Sequence, residues 1–277
     1  MKARSRQSRI RKRRKFRPAL KKRIRERKPF PRQVVPNFFT LMNLFSGFLS
    51  IIHVLEGELE IAAWLIVFAG VFDALDGYMA RLTNTSSEFG VELDSLCDVV
   101  SFGVAPAFLM YHFSLNELLT FGMLISAIPV LCGAARLARF NIETKIEDSS
   151  YFRGLPIPVQ GIMLAAFFLT FHQNVELFDI FEYGVNAVLI PSMLLFSFLM
   201  ITTVPFDKVP RFNRSYVRKH KVPVLLFFIY VVLILLFQEY GLMIAFGIFI
   251  IKGLLLSAVH FYRDMFEENH DDEVPVP

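Results

Sequence analysis

The sequence predicts an all-α, polytopic integral membrane protein with about eight transmembrane helices. Hydrophobic residues make up 54% of the 277 residues, and phenylalanine alone occurs 31 times. They occur in long, nearly uncharged runs instead of the periodic stripes of a soluble domain. The loops between these runs alternately contain and lack lysine and arginine, as expected for a chain that crosses a membrane repeatedly.

The apolar runs predict the positions of the transmembrane helices. Each run is close to the length of about 20 residues that crosses a hydrocarbon core. The last two runs are separated by only a few residues, so we expect them to form a tight helical hairpin. The predicted spans are approximately 36–55, 61–82, 91–113, 117–140, 155–172, 183–204, 222–239 and 241–262.

The distribution of basic residues predicts the orientation in the membrane. Residues 1–33 contain 17 Lys or Arg and one acidic residue, which indicates a cytoplasmic N-terminus. The loops after spans two, four and six also carry basic residues. We therefore expect these loops and both termini to lie on the cytoplasmic side of the cell (inner) membrane. The intervening loops contain no Lys or Arg, and they are 55–60, 114–116, 173–182 and 238–240.

Both ends of the chain are predicted to lie outside the bundle. Apolar residues interspersed in segment 1–33 allow a short amphipathic helix on the membrane surface, where its basic residues would attract anionic lipids. The acidic tail, 265–277, is expected to be disordered. The rest of the chain carries 13 Lys or Arg against 24 acidic residues, so its basicity belongs to the N-terminal tail. We expect no nucleic-acid partner for this reason.

Four aspartates lie near the cytoplasmic ends of two neighbouring predicted spans. Carboxylates in or beside a membrane helix are costly and therefore usually functional. In each span they recur at helical spacing together with small residues, so they share one helix face. If the two helices pack antiparallel, the four carboxylates can meet in one cavity. The two sets are Asp73, Asp76, Gly77, Ala80 and Arg81 on the second span, and Gly90, Asp94 and Asp98 on the third.

This group of oxygen ligands favours Mg²⁺ or Mn²⁺, because it contains no histidine or cysteine. Two such ions binding a diphosphate, with a free carboxylate as base, would suit phosphoryl transfer. A cation transporter is an alternative, but that class predicts mid-membrane charges in several spans and inverted repeats, and neither is visible. The six histidines do not show metal-ligand spacing, so we expect them to be packing or interfacial groups.

The spacing of the aspartates resembles the signature of the CDP-alcohol phosphatidyltransferases. The pattern Asp73-x-x-Asp76-Gly77-x-x-Ala80-Arg81, then eight residues, then Gly90-x-x-x-Asp94-x-x-x-Asp98, matches all eight signature positions with the correct gaps. The resemblance covers about residues 34–262. It implies a helical membrane fold with a six-helix core, usually homodimeric, in which an alcohol displaces CMP from a CDP-linked lipid. An intact signature argues against the remaining alternative, a non-catalytic membrane adaptor.

The resemblance also implies a role for each signature residue. Asp73, Asp76 and Asp94 would bind two divalent ions, and Asp98 would be the general base that also lies near the second ion. The residues expected to border the CDP group are Gly77, Ala80, Arg81 and Gly90, with Asn43 reaching in from the first span. On this interpretation residues 34–205 form the catalytic core, and 206–264 form a basic cytoplasmic loop followed by a C-terminal transmembrane hairpin.

Shorter stretches resemble the phosphatidylserine synthase branch of this family, namely PNFFTLMNLFSGFLSI (36–51), LDSLCDVVSFGVAPA (93–107), ARLARFN (135–141) and GLPIP (154–158). They imply CDP-diacylglycerol as donor, L-serine as acceptor, and phosphatidylserine and CMP as products. Arg136, Arg139 and Asn141 then become candidates for binding the carboxylate of serine or the lipid phosphate. For the two arginines, ordinary cytoplasmic charge at a helix end is the alternative. Glycerol 3-phosphate or inositol phosphate is the alternative acceptor.

Overall fold

The computed structural model describes residues 34–83, 87–143, 152–206 and 221–271. Within these ranges the chain is helical apart from short turns and one pair of two-residue strands. The predicted all-α class is therefore confirmed. The predicted basic tail, 1–33, and most of the predicted basic loop after span six lie outside the described residues.

Each predicted apolar run coincides with a helical segment of the structure. Strand β1 (Phe152–Arg153) pairs antiparallel with β2 (Pro205–Phe206), close to the beginning of α6 and the end of α7. Two short 3₁₀ segments also connect helices, namely Leu115–Leu118 between α4 and α5 and Val175–Phe178 between α6 and α7. The helices are α1 (Val34–Leu55), α2 (Leu59–Thr83), α3 (Glu88–Asp98), α4 (Ala105–Phe113), α5 (Thr120–Glu143), α6 (Ile157–Phe171), α7 (Asn186–Ile201) and α8 (Lys221–Asp271).

Several of these helices are suited to a membrane. Four segments of the described chain are long and apolar enough to cross one, namely Asn37–Leu55, Glu88–Phe113, Thr120–Ile142 and Leu236–Val259. Helices α6 and α7 are apolar but shorter, with 15 and 16 residues. The chain is therefore a multi-pass membrane protein, and the number of eight spans stays a prediction.

Helix α8 contains both of the last two predicted spans. Its helical path is interrupted at Gln238, where φ is 47° and ψ is −116°. This break lies at the end of the first of these two spans, at the predicted loop 238–240 where the hairpin turn is expected. The helix continues to Asp271, so residues 265–271 are helical where the sequence predicted a disordered tail, and 272–277 lie outside the described residues. Methionine and glutamate have high helix propensity, and extending an existing helix costs less than nucleating a new one.

A π-helical turn, Val99–Val104, connects α3 to α4. Its centre is clamped by glycines of two other helices. A Cβ atom on Gly47 of α1 would lie 2.7 Å from the Cα atom of Ser101, and one on Gly161 of α6 would lie 2.8 Å from the Cα atom of Phe102. Only glycine permits such close contact with a helix backbone. The clamp fixes the C-terminal end of α3, where the aspartates lie.

We expect Gly161→Ala to lower the free energy of unfolding by about 1–3 kcal/mol, because the new methyl group overlaps the backbone of Phe102. Thermal unfolding of the purified protein in detergent measures this change. Gly77→Ala is the matched control, since no atom lies within 4 Å of a Cβ built there. Equal unfolding temperatures for the two variants would contradict the proposed clamp.

Contacts between loops define the two ends of the helix bundle. The C-terminal ends of α2 and α5 lie at the aspartate end. At the other end, called here the opposite end, the hydroxyl of Ser114 donates a hydrogen bond of 2.9 Å to Oδ1 of Asn186. There also Nε2 of His172 lies 3.9 Å from Oε2 of Glu60. The long helices α1, α2 and α5 thus connect two chemically different surfaces.

Candidate active site

Three of the four aspartates converge between α2 and α3. Asp73 and Asp76 come from the last turns of α2, and Asp94 comes from α3. One carboxylate oxygen of each lies within 4.8 Å of the other two. The helical spacing thus brings three of the four carboxylates into one group, whereas Asp98 is not part of it.

Two oxygens of this group lack a hydrogen-bond partner within the described residues. Oδ2 of Asp76 and Oδ1 of Asp94 are buried without a hydrogen-bond partner there. The side chain of Thr40 on α1 forms a hydrogen bond with Asp76. Carboxylates this close repel each other unless a proton or a cation lies between them. The all-oxygen donor set and its unpartnered atoms fit a hard divalent cation such as Mg²⁺ or Mn²⁺.

Asp98 is held separately from these three. Its Oδ1 accepts a hydrogen bond of 3.1 Å from Nδ2 of Asn43 on α1. Both side chains are buried, with 6% of Asp98 and none of Asn43 exposed. The backbone carbonyl of Asn43 in turn accepts a hydrogen bond of 3.0 Å from Ser101 in the π turn. Asn43 therefore fixes one oxygen of Asp98 and leaves the other oxygen to a different role.

The small signature residues differ in their surroundings. Gly77 faces open space, which leaves room for a ligand, and Ala80 is half-buried on the same helix. Arg81 is exposed at the end of α2 and interacts electrostatically with Asp76. Gly90 has a structural function, because its N–H donates a hydrogen bond of 3.0 Å to Ser87, the N-cap of α3.

The two arginines of α5 have different environments. Arg136 is 5% exposed, interacts electrostatically with Asp98, and has an Nε atom with no partner among the described residues. Its guanidinium carbon lies 5.8 Å from the ring centre of Phe140. The guanidinium of Arg139 donates to backbone carbonyls at the end of α7, with a distance of 2.7 Å to that of Ile201. Arg139 therefore caps a helix C-terminus.

Asn141 connects α5 to α3. Its Nδ2 donates hydrogen bonds of 3.2 Å to Oε2 of Glu92 and 3.0 Å to Oγ of Ser95. Sequence reasoning assigned no role to Glu92, Ser95 or Thr40. The signal for Thr40 is its position three residues before Asn43, which places both polar side chains on one face of α1.

Comparison with known proteins identifies the family. A sequence profile described as CDP-alcohol phosphatidyltransferase matches residues 33–204, which is more than half of the chain. The chain belongs to the CDP-alcohol phosphatidyltransferase family. The matched region of this phosphatidyltransferase contains every site residue described above, whereas α8 lies beyond it.

Curated proteins that are similar to this phosphatidyltransferase have related names. A CDP-diacylglycerol–serine O-phosphatidyltransferase of Helicobacter pylori is 32% identical over 86% of this chain and 97% of its own length. An archaetidylserine synthase of Methanothermobacter thermautotrophicus is 37% identical over 65% of this chain and 72% of its own. A CDP-diacylglycerol–serine O-phosphatidyltransferase of Methanocaldococcus jannaschii is 40% identical over 64% of this chain and 75% of its own.

Proposed function

We propose that this phosphatidyltransferase transfers the phosphatidyl group of CDP-diacylglycerol to L-serine, giving phosphatidylserine and CMP in phospholipid biosynthesis. The observation that carries this proposal is the division of the four aspartates, in which three cluster and Asp98 is held apart by Asn43. This division suits a reaction that needs both a site for a diphosphate and a base. The names of the similar curated proteins support serine as the acceptor.

Asp73, Asp76 and Asp94 are the residues that would hold the divalent cations, two Mg²⁺ or Mn²⁺ ions in this proposal. Bound there, the cations would neutralise the diphosphate and stabilise the charge that develops on the leaving CMP. Asp98, which interacts electrostatically with all three, would lie near the second ion. The open space at Gly77, with Ala80 and Arg81 one turn farther along, would accommodate the cytidine and the diphosphate.

Asp98 is the proposed proton acceptor. Its carboxylate accepts the hydroxyl proton of serine while the hydroxyl oxygen attacks the phosphorus that bears diacylglycerol. The bond from that phosphorus to the bridging oxygen of CMP breaks, and CMP leaves with the electron pair. Asn43 restrains one oxygen of Asp98, which lowers the cost of orienting the base.

Arg136 is the better placed candidate for the acceptor carboxylate, because its Nε is buried without a partner in the described structure. We expect Arg136→Lys to raise the KM for serine by roughly 10–100-fold, the value of one hydrogen bond to a charged group. Arg139→Lys is the matched control, since Arg139 donates to the backbone of α7. That change should lower thermal stability with little effect on this KM. The reverse pattern would contradict the assignment, and initial rates at varied serine concentration measure it.

Further properties belong to the same proposal. We expect the aspartate end to face the cytoplasm, the N-terminal tail to contact anionic lipids, and the protein to form a homodimer. Cysteine labelling from each side of a sealed vesicle tests the orientation. Labelling of Gly57→Cys from the cytoplasmic side would contradict it, because Gly57 lies at the opposite end.

The experiment that tests the proposed function is an acceptor panel. The purified protein, CDP-diacylglycerol and Mg²⁺ or Mn²⁺ are combined with L-serine, glycerol 3-phosphate or inositol phosphate, and release of CMP is measured. We expect release with serine and little with the two phosphorylated alcohols. Preferential release with either of them would overturn serine as the acceptor and leave the family reaction intact.

A further inference from the structure

The opposite end of the bundle has an unusual charge distribution. The segments 55–60 and 172–185 contain no lysine or arginine. Among the described residues, histidines form ion-pair contacts with carboxylates at this end. His53 contacts Glu58, and His172 contacts Glu60. The acidic residues of the two segments are Glu56, Glu58, Glu60, Glu176, Asp179 and Glu182.

Three of these side chains converge at the turn between α1 and α2. Nδ1 of His53 lies 2.6 Å from Oε2 of Glu58 and 3.6 Å from Oε2 of Glu56. These three atoms all lie within 4.8 Å of one another. The imidazole is about one quarter exposed, whereas the two carboxylates are more than half exposed and remain accessible from water.

The backbone of the turn holds the three residues close together. Gly57 has a φ of +83°, a conformation that glycine adopts without strain. Its N–H donates a hydrogen bond of 3.1 Å to the carbonyl of Val54, and the N–H of Glu58 donates one of 2.8 Å to the carbonyl of His53. This is the pattern that ends a helix at a left-handed residue. Glu56 and Glu58 therefore lie on either side of Gly57, and both face the ring of His53 in the last turn of α1.

We infer that His53, Glu56 and Glu58 form a second metal site, which binds a divalent transition-metal ion such as Zn²⁺. One imidazole nitrogen and two carboxylate oxygens, with water as a fourth ligand, form a donor set that zinc accepts. Mg²⁺ prefers oxygen ligands, so the imidazole nitrogen disfavours its binding here. Ligand atoms of a tetrahedral zinc ion lie roughly 3.3 Å apart, so small rotations of the exposed carboxylates suffice.

A metal ion at this site would stabilise the hairpin formed by α1 and α2. Helix α1 carries Thr40 and Asn43 and α2 carries Asp73 and Asp76, all at the aspartate end. A metal ion that joins the last turn of α1 to the first residues before α2 would stabilise the hairpin from the opposite end. Metal binding at this turn and its effect on stability do not depend on the identity of the acceptor.

The experiment measures Co²⁺ and Zn²⁺ binding to the full chain in detergent after chelator treatment. Millimolar Mg²⁺ is kept present to occupy the oxygen ligands of the aspartate site. We expect one Co²⁺ per chain with the intense visible absorption of a four-coordinate ion, and its displacement by Zn²⁺. Zinc should also raise the unfolding temperature, on the order of 5 °C at 100 times the dissociation constant.

Two histidine variants decide the assignment. His53→Gln should abolish the absorption and the thermal shift, whereas His112→Gln, on an exposed histidine at the same end, should leave both unchanged. Serine-dependent CMP release with Mg²⁺ should be the same in both variants, which verifies folding independently of zinc. A wild-type chain without saturable binding, or unchanged binding by His53→Gln, would overturn the inference and leave a simple histidine–glutamate ion pair.

Discussion

Asp98→Asn is expected to reduce serine-dependent CMP release by about 10²–10⁴-fold, the usual contribution of a positioned general base. The amide has nearly the same volume as the carboxylate and can still contact Asn43, but it cannot accept the hydroxyl proton of serine. The change also removes one buried negative charge beside three others. We therefore expect the variant to be at least as stable as the parent protein.

Initial rates at saturating serine and CDP-diacylglycerol measure this effect. Glu88→Gln is the matched control, because Glu88 is an exposed carboxylate at the beginning of the same helix. It should retain close to the parent rate. Near-normal release by Asp98→Asn would exclude Asp98 as the base and shift that role to another group.

Asp94→Asn is expected to raise the Mg²⁺ or Mn²⁺ concentration needed for half-maximal activity by more than about 100-fold. Even indirect partners of metal ligands contribute roughly 10–100-fold to affinity, so a direct ligand should contribute more. Asp94 is the member of the cluster on α3, whereas Asp73 and Asp76 both lie on α2. Without the Asp94 carboxylate, the cation would be bound by residues of α2 and would no longer link α2 to α3.

Thermal unfolding distinguishes cation binding from general damage to the fold. In a chelator, Asp94→Asn should unfold at a higher temperature than the parent, because repulsion among the three carboxylates is reduced. In excess Mg²⁺ the order should reverse, since a cation stabilises only a chain that binds it. A variant that is less stable under both conditions would indicate a packing role for Asp94.

The parts of the site that follow helical periodicity were predictable from the sequence. Asp73 and Asp76 lie three positions apart, and Asp94 and Asp98 lie four positions apart, so one face of each helix was defined before any contact was known. The helical class followed from the length of the apolar runs in the same way. Both inferences need only local geometry and the cost of burying charge in a membrane.

Contacts that depend on tertiary packing were not predictable. The ARLARFN stretch marks Arg136 and Arg139 equally, yet one is buried near Asp98 and the other caps α7. Which carbonyls Arg139 meets depends on where α7 ends, and no local pattern encodes that. The pairing of His53 with Glu56 and Glu58 was missed because it spans a helix end, where helical spacing no longer describes which side chains meet.

The π turn at Val99–Val104 divides one long helix into two parts that can change independently. A π turn shifts the helical register, so residues before and after it face different neighbours. Asp94 and Asp98 come before the shift and point toward polar partners, whereas Phe102 and Leu109 come at or after it and are fully buried in apolar surroundings. We therefore expect the packing of the buried apolar part and the orientation of the proposed catalytic carboxylates to be uncoupled along this helix. Substitutions that repack the apolar half should then leave the direction of the two carboxylates unchanged.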